Sequence, residues 1–273
     1  MVHSFPTRRS SDLARRQIAQ RPPLDLSFAD DEEAQAYAAA HGGVSLAPRH
    51  VRLESSSVTE LEGFGGGRWW VQDLAASLPA RLIPAETAEV LDLCAAPGGK
   101  TMQLAAAGHK VTSVDTSAGR LARLRENLER THLSAQLVEA DALKWEPGRQ
   151  YDAILLDAPC SATGTFRRHP EVLYRARPSI IVDNADFQAK LLARAARWLR
   201  PGGTLVYSVC SLEPEEGEQV AGGSGMSIDP PKAGELPDFV TPTPEGYVRI
   251  LPGLLETEGG LDGFFIARLV RRG

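Results

Sequence analysis

The sequence predicts an α/β fold, in which a mostly parallel sheet carries helices on both faces and follows a small α+β subdomain. Three observations support this fold class. From about Glu89 onward, short apolar segments alternate with helical segments, a pattern typical of parallel sheets. One segment, YDAILLDAP, is nearly all apolar and suits a strand buried on both faces. Polar residues repeatedly follow the apolar segments, where predicted strands end.

The composition is that of a globular protein, with 42% hydrophobic and 24% charged residues in a chain of 273. No apolar run approaches the roughly eighteen residues of a membrane helix, and the opening segment lacks the apolar stretch of a secretory signal. We therefore expect a cytoplasmic monomer without a membrane segment. Residues 1–13 are polar and show no periodicity, which predicts a disordered tail or an artefact of cloning or sequencing.

Residues 14–84 mix polar turns with short apolar pieces, including GFGGGRWW, and are expected to form the small α+β subdomain. Residues 85–273 carry the alternating pattern and are expected to form the main domain. Its predicted strands are EVLDLC, KVTSVD, AQLVEAD, YDAILLDAP and TLVYSVC, with YVRIL and GFFIARLVR as closing strands.

Helices are predicted between these strands. The first begins near Gly98, and the second, SAGRLARLRENLERT, places Leu121, Leu124 and Leu128 on one face. A third, DNADFQAKLLARAARWL, ends before a Pro-Gly-Gly turn at residues 201–203. Residues 221–243 are rich in Gly and Pro, which predicts a loop.

The turn CAAPGGKT after the first strand of the main domain indicates a nucleoside ligand. A nucleoside-triphosphate loop requires Gly where Cys94 stands, and the Gly-x-Gly-x-x-Gly spacing of a dinucleotide site is missing. What remains is a tight turn that lets a nucleoside with a short charged tail lie close to the backbone. The predicted cofactor-binding residues here are Cys94, Ala95, Ala96, Pro97, Gly98, Gly99 and Lys100.

Three acidic residues follow the next predicted strands in register. Asp115 is placed to accept hydrogen bonds from ribose hydroxyls, Asp141 from an adenine amino group, and Asp157 from the ammonium of a methionine moiety. Each alone is more readily explained as a solvated strand end or a helix cap. Together they predict S-adenosyl-L-methionine as the cofactor.

The three cysteines, Cys94, Cys160 and Cys210, are odd in number and form no CxxC pair, so neither a disulfide framework nor a metal site is expected. Cys160 and Cys210 lie just past strand ends. Carbon 5 of cytosine is a poor nucleophile, and its methylation requires a thiolate to add at carbon 6 and a means of expelling that thiol afterwards. Two such cysteines suit this chemistry, although burial as small apolar side chains is the alternative.

The loop TFRRHPE lies beside the predicted site. Arg167 and Arg168 can bind phosphates or stack on bases, and His169 can contact the target, although a solvated basic loop is an equal alternative. The formal net charge of −5 argues against a nucleic-acid partner, but the local cluster of arginines that includes Arg175 and Arg177 offsets it.

The strings DLCAAPGGKT, DAPCSATGTFRRHPE and YSVCSLEPEEGE, in this order, resemble the motifs of the RsmB/Fmu/Sun family of RNA (cytosine-5)-methyltransferases. WWVQDLAASLPARL resembles the segment before the first strand there, so the likeness runs from about Trp69 to Arg272. The resemblance implies a Rossmann-like class I methyltransferase fold and an RNA substrate, with ribosomal RNA as its class. It also implies cofactor contacts from the turn of residues 94–100 and from Asp115, Asp141 and Asp157.

The resemblance further implies that Cys210 is the nucleophile and that Cys160 assists product release. In DNA cytosine methyltransferases the nucleophile belongs to a Pro-Cys pair, which here is Cys160, and that assignment stays open. A non-catalytic RNA-binding protein with the same fold is the rival from another class, although binding alone requires neither cysteine. The separate RNA-binding domain of many bacterial members does not fit before Ala14, and the helix after EPEEGE is shorter than expected.

Overall fold

A computed structural model gives the fold of the chain and describes residues 16–54 and 57–271. The predicted α/β architecture is confirmed: a large, mostly parallel sheet follows a separate three-stranded antiparallel sheet. The prediction for residues 1–13 concerns a segment outside the described residues.

The small sheet consists of β1 (Leu24–Phe28), β2 (His50–Leu53) and β3 (Trp69–Val71), in the order β2-β1-β3. Helix α1 (Asp31–His41) packs against it, and Asp30 caps this helix by accepting a hydrogen bond from the Glu33 backbone N–H. The core between sheet and helix is aromatic and aliphatic, with Leu26, Phe28, Tyr37 and Trp69 fully buried.

Five of the eight strands of the large sheet are parallel to one another, in the order β6-β5-β4-β7-β8. They are β4 (Glu89–Leu93), β5 (Lys110–Asp115), β6 (Gln136–Glu139), β7 (Tyr151–Asp157) and β8 (Leu199–Val209). The antiparallel strand β11 (Phe264–Val270) pairs with β8, and β9 (Ser227–Ile228) and β10 (Val248–Ile250) pair with β11. The strand order reverses between β4 and β7, which is where ligands bind in such sheets.

Helices cover both faces of this sheet, so successive residues of β7 enter different cores. Ile154 and Leu156 belong to one buried cluster, and Ala153 and Leu155 to another. The helices are α2 (Leu74–Arg81), α3 (Gly99–Ala106), α4 (Ala118–Arg130), α5 (Val172–Arg175), α6 (Pro178–Trp198) and α7 (Glu218–Gly222). The predicted apolar face of α4 is confirmed, because its three leucines are buried.

Two segments differ from the sequence prediction. Helix α6 begins at Pro178, five residues before the predicted start at Asp183, because proline is favourable in the first helical turn. Ile180 and Val182 in this first part of the helix are exposed, so they do not belong to its buried face. The predicted loop 221–243 contains β9, whose Ile228 pairs with Leu269 of β11. A two-residue strand fixed by so distant a partner leaves no periodicity in the sequence.

Helix α2 lies within the predicted subdomain of residues 14–84, yet it packs on the large sheet. Its Leu74 and Leu78 share a buried cluster with Val90 of β4. The boundary at residue 84 stays a prediction. Among the described residues, none of the helices combines the length and apolarity needed to cross a lipid bilayer.

Candidate active site

The turn between β4 and α3 has a backbone that depends on glycine. Cys94 and Gly98 have positive φ angles of 60° and 107°. A Cβ atom on Gly98 would lie 2.0 Å from Cδ1 of Leu124, so α4 leaves no room for a side chain there. The turn therefore brings bare backbone to the carboxyl end of β4.

A cleft of about 300 Å³ opens over this turn, and we call it the cofactor cleft. All seven turn residues predicted to bind the cofactor line it, together with Asp157, Arg168 and Cys210. Asp92 and Phe264 line it as well, although the sequence did not single them out. The cleft is at the switch in strand order, between the ends of β4 and β7.

Charge in the cleft centres on Asp157, at the end of β7. Its Oδ2 lies 2.7 Å from Nζ of Lys100, and its Oδ1 accepts a hydrogen bond from the Ser208 hydroxyl at 2.7 Å. Lys100 also lies over the ring of Phe264, with Nζ 5.3 Å from the centroid. The Lys100 ammonium therefore pairs with Asp157, the same carboxylate that the sequence analysis assigned to the ammonium of the methionine moiety.

Asp92 is a functional candidate that sequence reasoning missed, because it lies inside the apolar strand β4. Its side chain is fully buried, Oδ2 accepts a hydrogen bond from the Thr101 hydroxyl at 2.5 Å, and Oδ1 has no partner among the described residues. Burial raises the pKa of Asp92 to about 7. An unpartnered buried oxygen beside the cleft suits a ligand that brings a hydrogen-bond donor, such as the amino or hydroxyl groups of S-adenosylmethionine.

Asp115 and Asp141 lie at or just beyond the ends of β5 and β6, as predicted, but neither lines the cleft. The Asp115 side chain is buried, and its oxygens accept hydrogen bonds from the backbone N–H groups of Ala96 and Ser117. Asp141 accepts one from the backbone N–H of Leu143. Their contacts with a cofactor stay predictions.

The structure brings Cys160 and Cys210 together, with their Sγ atoms 3.5 Å apart. Cys210 lines the cofactor cleft, whereas Cys160 lines a second cavity of about 570 Å³. The pKa of Cys160 is raised well above its usual value by the hydrogen bond with Cys210, by burial and by the negative charge of Glu216. Cys160 therefore keeps its proton at neutral pH.

Glu216 holds the two cysteine loops together, a role that no pattern in the sequence indicates. Its carboxylate is fully buried and accepts hydrogen bonds from Ser161, the residue after Cys160, and from Ser211, the residue after Cys210. Gln188 of α6 donates a further hydrogen bond at 3.3 Å. A buried carboxylate with several donors fixes the positions of both loops.

In the basic loop, Arg167 is buried and its charge is neutralised, which does not fit the predicted contact with substrate. The side chain of Arg167 is only 2% exposed and forms ion pairs with Asp73 and Asp262. Because both partners are buried, this guanidinium joins the segment before α2 to the segment before β11 rather than facing solvent. Arg168 pairs with Asp262 and is 36% exposed, and His169 is 59% exposed. Their RNA contacts stay predictions.

Comparison with known proteins agrees with this geometry. The family model of the 16S rRNA methyltransferase RsmB/F matches residues 79–270. Ribosomal RNA small subunit methyltransferase B of Erwinia tasmaniensis is 39% identical over 254 residues, which cover 90% of this chain and 56% of that protein. The Xylella fastidiosa protein of the same name is 42% identical over 235 residues, which cover 83% and 54%. The chain thus spans about half the length of these curated relatives.

Solved structures share the fold. NSun6 from Pyrococcus horikoshii, crystallised with SFG, matches 97% of this chain and 95% of its own with a TM-score of 0.82 at 20% identity. A methyltransferase homologue from the same organism matches 95% and 90% with a TM-score of 0.75 at 25% identity. Because the family model covers most of the chain and the curated relatives align over more than four fifths of it, the chain belongs to the 16S rRNA methyltransferase RsmB/F family.

Proposed function

We propose that this chain transfers a methyl group from S-adenosylmethionine to carbon 5 of a cytosine in small-subunit ribosomal RNA, through a covalent bond to Cys210. The observation that carries the proposal is the 3.5 Å separation of the Cys160 and Cys210 sulfurs at the junction of two cavities. One cavity has the features of a nucleoside site, and the other is open to solvent beside Cys160. The names of the curated relatives support ribosomal RNA of the small subunit as the substrate.

The residues that line the cofactor cleft fit the hydrogen-bonding groups of S-adenosylmethionine. The turn from Cys94 to Lys100 offers bare backbone, and the unpartnered Oδ1 of Asp92 offers an acceptor. When bound, S-adenosylmethionine supplies an electrophilic methyl group. The part of the chain in the reaction is to present a nucleophile and a proton donor next to this cleft.

Cys210 is the proposed nucleophile because it borders the cofactor cleft. Addition of its thiolate to carbon 6 of the cytosine makes carbon 5 nucleophilic. After carbon 5 has gained the methyl group, a base takes its proton, the electron pair left behind re-forms the double bond between carbons 5 and 6, and the Cys210 sulfur leaves with the electron pair of its bond to carbon 6. Cys160 then assists, because its protonated thiol lies within hydrogen-bond distance of the departing Cys210 sulfur.

The alternative assignment makes Cys160 the nucleophile, as in enzymes with a Pro-Cys pair. Its raised pKa argues against this, since the thiolate is the reactive form. The alternative of a non-catalytic RNA-binding protein leaves the paired thiols and their buried carboxylate support unexplained. The monomeric state and cytoplasmic location expected from the sequence stay predictions.

Transfer of a radiolabelled methyl group from S-adenosylmethionine to unmodified 16S ribosomal RNA tests the proposal. We expect the wild type to label cytosines at carbon 5 and Cys210→Ala to be inactive while it retains cofactor-induced thermal stabilisation. Full activity of Cys210→Ala together with an inactive Cys160→Ala would reverse the roles. Label recovered on another atom or base would refute the proposed reaction.

A further inference from the structure

Among the described residues, exposed apolar side chains are concentrated in the segment from Leu173 to Phe187, and two of them, Tyr174 and Ile180, line the cavity that contains Cys160. Of the nine large hydrophobic side chains that are exposed among the described residues, five lie between residues 173 and 187. Tyr174 is the most exposed, at 85%. Clustered exposed apolar side chains mark interaction sites, whereas single ones are ordinary.

Tyr174 belongs to the rim of the 570 Å³ cavity that contains Cys160, which we call the Tyr174 cavity. Ile180 and Asn184 also line it, and these two residues are four apart on α6 and share one face of that helix. The cavity is therefore continuous with one of the two sulfurs of the proposed site. A molecule that occupies it lies beside the reacting base.

The charge of the Tyr174 cavity is positive. Arg175 and Arg177 line it, and none of the described residues that line it is acidic. Both arginines are exposed, and neither forms an ion pair with a described residue. Arg167 differs, because two buried carboxylates neutralise its charge. In a chain with a formal net charge of −5, unpaired guanidiniums beside a catalytic thiol favour an anionic substrate.

We propose that the Tyr174 cavity binds the nucleotide next to the target cytosine in a single-stranded segment of RNA. Tyr174 stacks on the neighbouring base, and Arg175 and Arg177 bind the phosphates on either side. This combination of an exposed aromatic ring with unpaired guanidiniums is how proteins hold unstacked bases. A protein partner would leave the absence of carboxylates and the continuity with Cys160 unexplained. The inference rests on the proposed function, whose substrate site it extends.

Substitution of Tyr174 tests the stacking contact. We expect Tyr174→Ala to weaken binding of fluorescein-labelled single-stranded RNA roughly ten-fold in fluorescence anisotropy, and to raise the KM for RNA by a similar factor. Tyr174→Phe keeps the ring and should bind like the wild type. Val182→Ala is the matched control, since Val182 is 54% exposed on α6 but does not line the cavity. The affinity of this variant for RNA should equal that of the wild type.

The arginines have a separate signature. Arg175→Gln and Arg177→Gln should each lower the slope of log Kd against log salt by about 0.7, the value for one phosphate contact on a single strand. Unchanged RNA affinity and salt slope in all three cavity variants would overturn the inference, and would point to a protein partner instead. That result would not contradict the proposed methyl transfer. A wild type that neither binds RNA nor transfers methyl groups would refute the proposed function itself.

Discussion

The burial of Asp92 predicts a specific pH dependence of the free energy of unfolding. In the folded chain this carboxyl has a pKa of about 7, against 3.8 for an unperturbed aspartate. Between these pH values the folded state holds a proton that the unfolded state has released, so stability falls as pH rises from about 4 to 7. Asp92→Asn removes this titration without changing the size of the side chain.

The magnitude follows from the shift, which is about three pH units at about 1.4 kcal/mol each. Relative to the wild type, Asp92→Asn should gain on the order of 4 kcal/mol of stability between pH 4 and pH 7. Asp25 acts in another window, because its ion pairs lower its pKa and its contribution is lost below pH 4. The difference between wild type and variant isolates Asp92 from such groups.

Urea denaturation at a series of pH values measures this difference. Thr101→Val provides a second variant, since the Thr101 hydroxyl donates to Asp92 and lowers its pKa. Without this hydrogen bond the titration of Asp92 should extend to higher pH. A stability difference between wild type and Asp92→Asn that stays constant from pH 4 to pH 7 would refute the reasoning.

Three further predictions follow from the packing of the site. Arg167→Met should cost roughly 3–5 kcal/mol in urea denaturation because it removes the ion pair of buried Asp73 and leaves buried Asp262 paired with Arg168 alone, whereas Arg200→Met, which breaks a more exposed pair, should cost less than about 1 kcal/mol. Gly98→Ala should abolish thermal stabilisation by S-adenosylmethionine, since its Cβ would overlap Leu124; an unchanged shift in melting temperature would contradict this. Glu216→Gln should lower kcat roughly ten-fold with little change in the KM for RNA, because an amide NH₂ then faces the donors that hold the cysteine loops; steady-state kinetics that show a change in KM alone would contradict it.

Local sequence patterns were enough to predict seven strands of the large sheet, the helices α3 and α4, most of α6, and the cofactor turn. Periodicity placed the buried leucines of α4, and the run of small residues after β4 marked the turn that lines the cleft. Cys160 and Cys210 each follow the carboxyl end of a strand, and the two strands are parallel neighbours in the sheet. Because the carboxyl ends of parallel strands lie at one edge of the sheet, their positions in the sequence were sufficient to predict that the two cysteines lie close together.

Contacts between distant parts of the chain were not predictable. Arg167 reads as a loop arginine, and only the fold shows that Asp73 and Asp262, each more than ninety residues away, neutralise it. Glu216 stands in an acidic string typical of a solvated surface, yet the two serines beside the cysteines bury its carboxylate. In both cases the sequence contains the charge, whereas the partners come from tertiary structure.

Covalent trapping with RNA that contains 5-fluorocytosine tests the central claim most directly. Fluorine at carbon 5 cannot leave as a proton does, so a cysteine that has added to carbon 6 remains attached after methyl transfer. With S-adenosylmethionine present, denaturing electrophoresis and peptide mass spectrometry should find the adduct on Cys210 in the wild type and in Cys160→Ala, and no adduct in Cys210→Ala. An adduct that persists in Cys210→Ala and maps to Cys160 would contradict the account.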